Sequence, residues 1–375
     1  MQRRQQLKKC KRIVVKVGTA LLTNEQGVLD QRFIDKLAAD IAELRKPGRQ
    51  VILVSSGAIG AGITALQKKR KPRSIPTKQA MAAIGQPRLM QAYANAFGKQ
   101  GLLTAQVLLT AGDIHHRKRY SHARNALAEI LRLGVVPVFN ENDTVAVDEI
   151  KFGNNDVLSA HVTHLAEADL LIILTDVAGL FSENPSLNPG AHLVSAVARI
   201  DERVERMAGG SRGSLGTGGM ATKIMAAKMV TTMGEEVVIA SGRQPDVLAR
   251  IVAGEAIGTI FHAQDGKLSA RKRWIAFAMP RQGSLILDPG AVLSVAEKGK
   301  SLLPSGITRV EGDFEEGDCV ALKTPDGRAF AAGLSHYSSE DIRKLCGAKS
   351  SEIERILGRK TSDEIIHRDD LALLK

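Results

Sequence analysis

Short aliphatic and β-branched runs alternate, over the first two thirds of the chain, with longer stretches whose apolar residues recur every three or four positions. The runs RIVVKVG (12–18), QVILVSSG (50–57), LLTAQVLL (102–109), GVVPVFN (134–140), DLLIILTD (169–176) and EVVIASG (236–242) predict strands. Several are apolar at consecutive positions, as strands covered on both faces are. Between them, Phe33, Ile34, Leu37, Ile41 and Leu44 share one side of a helix over 30–46. Helical spacing also marks 58–67, 121–133, 156–167, 219–233 and 245–253. The alternation predicts an α/β unit with a mostly parallel open sheet sandwiched by helices. In such sheets ligands bind beyond the carboxyl ends of the strands.

The pattern changes near residue 262, where a basic stretch holds the single Trp, a Pro and two Gly. Short alternating runs then follow, separated by Gly, Asp and Pro turns; PDG (325–327) between two of them predicts a hairpin. The expected organisation is a catalytic domain over 1–262, a linker over 263–282, a small β-rich domain over 283–361 and a polar tail over 362–375.

The chain length of 375 residues suits two domains. The three cysteines are scattered and form no CxxC pair, which argues against a disulfide framework or a thiolate zinc site. No apolar run approaches the ~18–20 residues of a membrane span. The basic MQRRQQLKKCKR is followed by a run too short for a signal-peptide core. A cytoplasmic protein without a membrane partner is expected. The net charge of +12 suits either anionic substrates or nucleic acid. Aromatics, at 3%, are too few for base-stacking platforms.

The strand ends carry the candidate chemistry. They supply Lys16 and Gly18-Thr19, then Ser55-Ser56-Gly57, then Asn140 to Asp143, then Thr175-Asp176. Asn154, Asn155 and Asp156 stand at a helix start, and Gly57, Asp156 and Gly218 mark helix N-termini whose free N–H groups suit anions. Each segment alone also fits ordinary turn and cap chemistry; their gathering at one rim is what points to a site. Lys16 lies in an otherwise apolar strand, where a lysine needs a partner. In LGTGGMATKIMAAK (215–228) a helix begins without the acidic residue its dipole favours and with Lys223 in its first turns. That suits an external anion, although the spacing is not that of a Walker A loop. His115 and His116 are expected in an exposed basic loop. His161 and His164, three apart on a helix, are expected on its surface, since no carboxylate pattern completes a metal site with them.

The segments VVKVGT, VSSGAIGAG, VFNENDTVAVDEIKFGNNDVLSAHV, ILTDVAGLF and GTGGMATKIMAAK resemble, in order, the amino-acid kinase family, in its glutamate-phosphorylating branch. From Gly283 to about Gly358 the chain resembles a PUA domain, through DPGA, GKSLLPSGI and GDFEEGDCV. The resemblance implies ATP-dependent phosphorylation of the side-chain carboxylate of L-glutamate, with Mg2+. It implies a homo-oligomer, feedback inhibition by proline and a place at the first step of proline biosynthesis. It assigns Lys16 and Lys223 to the transferring phosphate, with Asp156 orienting both. Ser56, Gly57, Asp143 and Asn155 would hold L-glutamate. ATP would lie on Lys16, Thr175, Asp176 and the segment Thr217, Gly218, Gly219, Met220, Ala221, Thr222 and Lys223; the residues holding the metal stay open. Aspartate, carbamate, acetylglutamate and UMP remain rival acceptors within the fold. RNA binding through the PUA-like domain is the competing reading from another class.

Overall fold

A computed structural model describes residues 2–24, 28–67, 74–115, 117–146, 155–185, 187–209, 219–264, 272, 275, 279 and 281–374. The chain divides into two compact units, Met1–Ile114 with Tyr120–Asp265, and Gly266–Lys375 with His115–Arg119.

The first unit contains strands β1 (Arg12–Val17), β2 (Gln50–Val54), β3 (Thr104–Leu109), β4 (Val136–Glu141), β5 (Leu170–Thr175), β6 (Ala196–Val197), β7 (Glu236–Ser241) and β8 (Thr259–Phe261). They form one sheet in the order β3-β4-β2-β1-β5-β7-β8-β6, parallel except where β7 meets β8. Its helices are α1 (Gln2–Gln6), α2 (Thr19–Leu22), α3 (Gln31–Arg45), α4 (Ala58–Ala65), α5 (Ile75–Gly98), α6 (Ala111–His115), α7 (Arg117–Arg132), α8 (Asn155–Leu165), α9 (Glu202–Met207), α10 (Met220–Met233) and α11 (Val247–Val252).

The two-residue side-chain period of a strand sends alternate residues to opposite faces. Ile13, Val15, Val17, Leu170, Ile172 and Leu174 join one core with Leu37, Ile41, Leu89, Tyr93 and Ile251 of α3, α5 and α11. Val14, Leu171 and Ile173 join the other with Leu127, Leu158, Val162, Ile224 and Val230 of α7, α8 and α10. In this alternation Lys16 falls on the side of α8 and α10. The predicted strands are all present and the sandwich is as expected.

One local expectation is corrected, and one helix was not marked by the sequence. Within the basic HHRKRY stretch, His115 ends α6 and Arg117 starts α7, so the helix expected at 121 begins earlier and His115 is not in a loop; His116 lies outside the described residues. The long α5 carries no clear apolar stripe, and spacing alone does not mark it. Ser74 caps it by accepting from the Thr77 N–H, and its inner side is built largely of small residues. These let α5 lie close on α4. A Cβ at Gly62 would stand 1.9 Å from the Met81 carbonyl oxygen, and one at Gly85 would stand 1.8 Å from that of Ala58. Gly85→Ala is therefore expected to cost about 3 kcal/mol, the upper range for overpacking, seen as a lowered urea midpoint; an unchanged midpoint would contradict this packing.

The second unit holds β9 (Gly283–Leu287), α12 (Pro289–Ala296), β10 (Ile307–Glu311), β11 (Cys319–Lys323), β12 (Ala329–Leu334), α13 (Ser339–Leu345), α14 (Ile353–Leu357) and β13 (Leu371–Leu373). Its sheet runs β10-β9-β11-β12-β13 over a core of Leu285, Leu287, Val320, Leu322, Tyr337 and Ile342. The PDG turn joins β11 to β12, as expected. The expected tail is corrected in part. Leu371 and Ala372 are buried and pair with β12, so the segment after 361 supplies an edge strand of this sheet.

Candidate active site

Four strand ends and two helix starts build the site. Lys16, near the end of β1, is 4% exposed, and its Nζ lies 2.5 Å from Asp156 Oδ1. Asp156, in the first turn of α8, is fully buried. Its other oxygen lies 3.3 Å from Lys223 Nζ and 2.8 Å from the Thr222 hydroxyl. A carboxylate at a helix N-terminus also meets the favourable end of the dipole. Two buried ammonium groups thus share one carboxylate, and the trio carries one net positive charge. Burial pulls Lys16 below the ordinary lysine value; Asp156 offsets part of that and Lys223 adds to it. Burial pushes Asp156 upward, but the two lysines and Thr222 outweigh it and hold the carboxyl below its usual range.

Lys223 owes its place to α10. Gly219 caps this helix without a side-chain bond, and the first turn has no acid. Side chains in a helix lean toward its N-terminus, so Lys223 points back to the sheet rim while Ile224, Ala227 and Val230 face the core. The N-terminal end of α10 is left positive. Thr217 and Gly218 lie outside the described residues, as does the 147–154 part of the long acidic motif.

A cleft of about 1080 Å³ opens beside this trio, large enough for a nucleotide. Thr175, Asp176, Gly219, Met220 and Lys223 line it, all expected nucleotide residues. Lys16, Ala221 and Thr222 do not appear in its wall, and Lys16 and Thr222 turn to Asp156 instead. The loop after β5 is anchored by Thr259, whose hydroxyl accepts from the Leu180 N–H and donates to the Val194 carbonyl. Arg203, Arg206 and Met207 of α9 also line the cleft and were not anticipated; α9 is too short for periodicity to mark.

The second cluster begins one residue before Asp156. Asn155 Nδ2 donates to Ser56 Oγ and Asn140 Oδ1, both at 3.0 Å. Ser56 follows β2, and Gly57 turns the chain into α4 at φ +97°, a conformation glycine supplies without strain. Ser55 is held from behind by the Tyr93 hydroxyl at 2.8 Å. Asp143 sits half-buried in the turn after β4. Asn140 reaches Gln86 on α5; Gln86 and Tyr93 carried no sequence signal because α5 itself did not.

His161 does not lie on the helix surface as expected: it is 4% exposed, because α8 is enclosed between the sheet and its neighbouring helices. His164 stacks on Tyr120 with ring centroids 6.2 Å apart. Among the described residues no cluster of three His, Cys, Asp or Glu could hold a metal ion.

The chain is similar to known families and proteins. The pattern of the amino acid kinase family matches residues 11–241, and that of the PUA domain matches 283–357. The chain is 50% identical over 372 residues to a glutamate 5-kinase of Geobacter sp. (strain M21), covering 99% of this chain and 100% of that one. It is 51% identical over 372 residues to the glutamate 5-kinase of Pelobacter propionicus, with the same coverage. With the glutamate 5-kinase of Caldanaerobacter subterraneus subsp. tengcongensis it shares 50% over 364 residues, 97% of this chain and 98% of the relative.

Proposed function

Because the chain belongs to the amino acid kinase family and groups with its glutamate 5-kinases, we propose that it transfers the γ-phosphoryl group of ATP to the side-chain carboxylate of L-glutamate. The product is L-glutamyl 5-phosphate, and the step is the first of proline biosynthesis. The observation that carries the residue roles is the pair Asn155–Asp156. Asn155 joins Ser56 in one cluster, and Asp156 holds Lys16 and also Lys223, which lines the cleft. This adjacency at the start of α8 supports an acceptor next to the donor.

The chemistry needs no catalytic base. A carboxylate with a pKa near 4.3 is ionised at neutral pH and attacks phosphorus with no proton to lose. Alignment and neutralisation of the phosphoryl oxygens remain. Lys16 and Lys223 supply fixed positive charge, and Asp156 keeps their ammonium groups in place. Ser56, Gly57, Asp143 and Asn155 hold L-glutamate. Thr175, Asp176 and the segment from Thr217 to Lys223 hold ATP. Magnesium would enter with ATP and would offset negative charge on the phosphates. Asp156, engaged by two lysines, is not a ligand for it. The 1–262, 263–282, 283–361 division, proline feedback, homo-oligomeric assembly and a cytoplasmic location belong to the same reading.

The test is ADP release with ATP and magnesium, with hydroxylamine present to trap an acyl phosphate. L-glutamate, L-aspartate, N-acetylglutamate and UMP are offered separately. Hydroxamate is expected with L-glutamate only. Turnover of another acceptor in its place would overturn the substrate and keep the fold.

A further inference from the structure

Resting on the glutamate reading above, we propose that Gln86 is a positioning residue of the acceptor pocket, acting through Asn140 on Asn155. The direction of this amide chain is fixed by one backbone group. The Glu141 N–H can only donate, so the Asn140 atom 3.0 Å from it is Oδ1. The same oxygen accepts from Asn155 Nδ2 at 3.0 Å. Asn140 Nδ2 must then find an acceptor in a residue 2% exposed, and Gln86 Oε1 at 2.8 Å is that acceptor.

The consequence falls on Asn155. Its amide nitrogen is spent on Asn140 and Ser56, which leaves Asn155 Oδ1 buried and without a hydrogen-bond partner among the described residues. A bare acceptor next to Ser56 suits the α-ammonium of an amino acid. Gln86 Nε2, at the other end of the chain, is also buried and unmatched. A network built for stability alone would satisfy its own ends, since each unmatched buried group is costly. Gln86 is itself 8% exposed, and its neighbour Gly85 seats α5 directly against Ala58, just past the Ser56-Gly57 turn. Two turns further along α5, Tyr93 holds Ser55. One helix thereby grips both loops of the acceptor cluster and, through these bonds, none of the groups that line the nucleotide cleft.

Gln86→Met keeps length and bulk and removes both amide atoms. We expect the KM for L-glutamate to rise at least about tenfold, the scale of one lost hydrogen bond to a charged group, with the KM for ATP within about twofold of wild type. A purely structural role would lower thermal stability without splitting the two constants. A double-mutant cycle with Asn155→Ala is the decisive reading. Since Gln86 acts through Asn155, its effect on the glutamate KM should largely vanish in that background. An unchanged glutamate KM, a matched rise in both constants, or fully additive losses would overturn the proposal. Should Gln86→Met not fold, Gln86→Asn, one methylene too short to reach Asn140, carries the same cycle. Hydroxamate formation by the wild type is measured first. Its absence with L-glutamate overturns the functional reading by itself, and the cycle is then run on the amino acid the wild type does turn over.

Discussion

Lys223→Ala is expected to give a folded protein whose turnover is lower by at least about a hundredfold, the scale of losing one preorganised electrostatic group. The expectation rests on how the charges divide. Asp156 lies between Lys16 and Lys223, at 2.5 and 3.3 Å. Without Lys223, the closer Lys16–Asp156 pair remains and is neutral overall, so the buried charge balances and the fold loses little. The site loses the positive charge it holds in excess, carried by the lysine that lines the cleft. The far-ultraviolet circular dichroism and melting temperature should stay close to wild type while kcat falls. Near-normal turnover in a folded variant would refute the role given to this lysine.

Asp156→Ala should lower stability as well as turnover. It removes the one carboxylate between two lysines that are 4% and 5% exposed. Taking away one partner of a buried ion pair typically costs about 3–5 kcal/mol, because the remaining charge is desolvated and unpaired. Here two ammonium groups are left facing each other. Lys16 is already held below its ordinary value by burial, and the variant loses the group that offsets this. A lysine that releases its proton more readily when folded binds fewer protons there than when unfolded. Stability of the variant should therefore rise with pH between the folded and unfolded lysine values. In the wild type the lowered Asp156 carboxyl works at the acid end. Its contribution is complete above the ordinary aspartate value of about 3.9 and is lost as pH falls through the folded value. Urea midpoints of both proteins at pH 5, 7 and 9 check the prediction; equal midpoints at pH 7 would show that the pairing does not support the fold.

The effects are separable because the same three residues serve two purposes. Asp156 is the structural debt-holder of the trio and Lys223 its functional surplus. Lys16 is both, since it stands in a strand whose other buried positions are filled by Ile13, Val14, Val15 and Val17.

Much of this was legible in the sequence. The alternation of aliphatic runs and helical spacing determined the α/β sandwich, since strand period and helix period are local properties of the chain. Lys16 stood out because a cation in an apolar run needs a partner. Lys223 stood out because a helix start without an acid invites an anion. The rim position of Ser56, Asn140 and Thr175 followed from the strand ends. What periodicity and charge could not fix was which groups pair; the family resemblance alone put Asp156 with Lys16 and Lys223. Asp156 lies 140 residues from Lys16 and 67 from Lys223 along the chain, and only the packing of α8 against β1 and α10 joins them. α5 escaped notice because its contact with α4 depends on Gly62 and Gly85 meeting backbone from another helix, and the absence of a side chain leaves no periodic signal. Gln86 and Tyr93 were hidden with it. The sequence thus determined the elements and the chemistry each could offer, through local periodicity and charge. The tertiary structure decided how one buried carboxylate, which only the family resemblance had put with the two lysines, meets them, and that a one-way chain of amides runs from Gln86 to Asn155, because both depend on contacts between segments far apart in the chain.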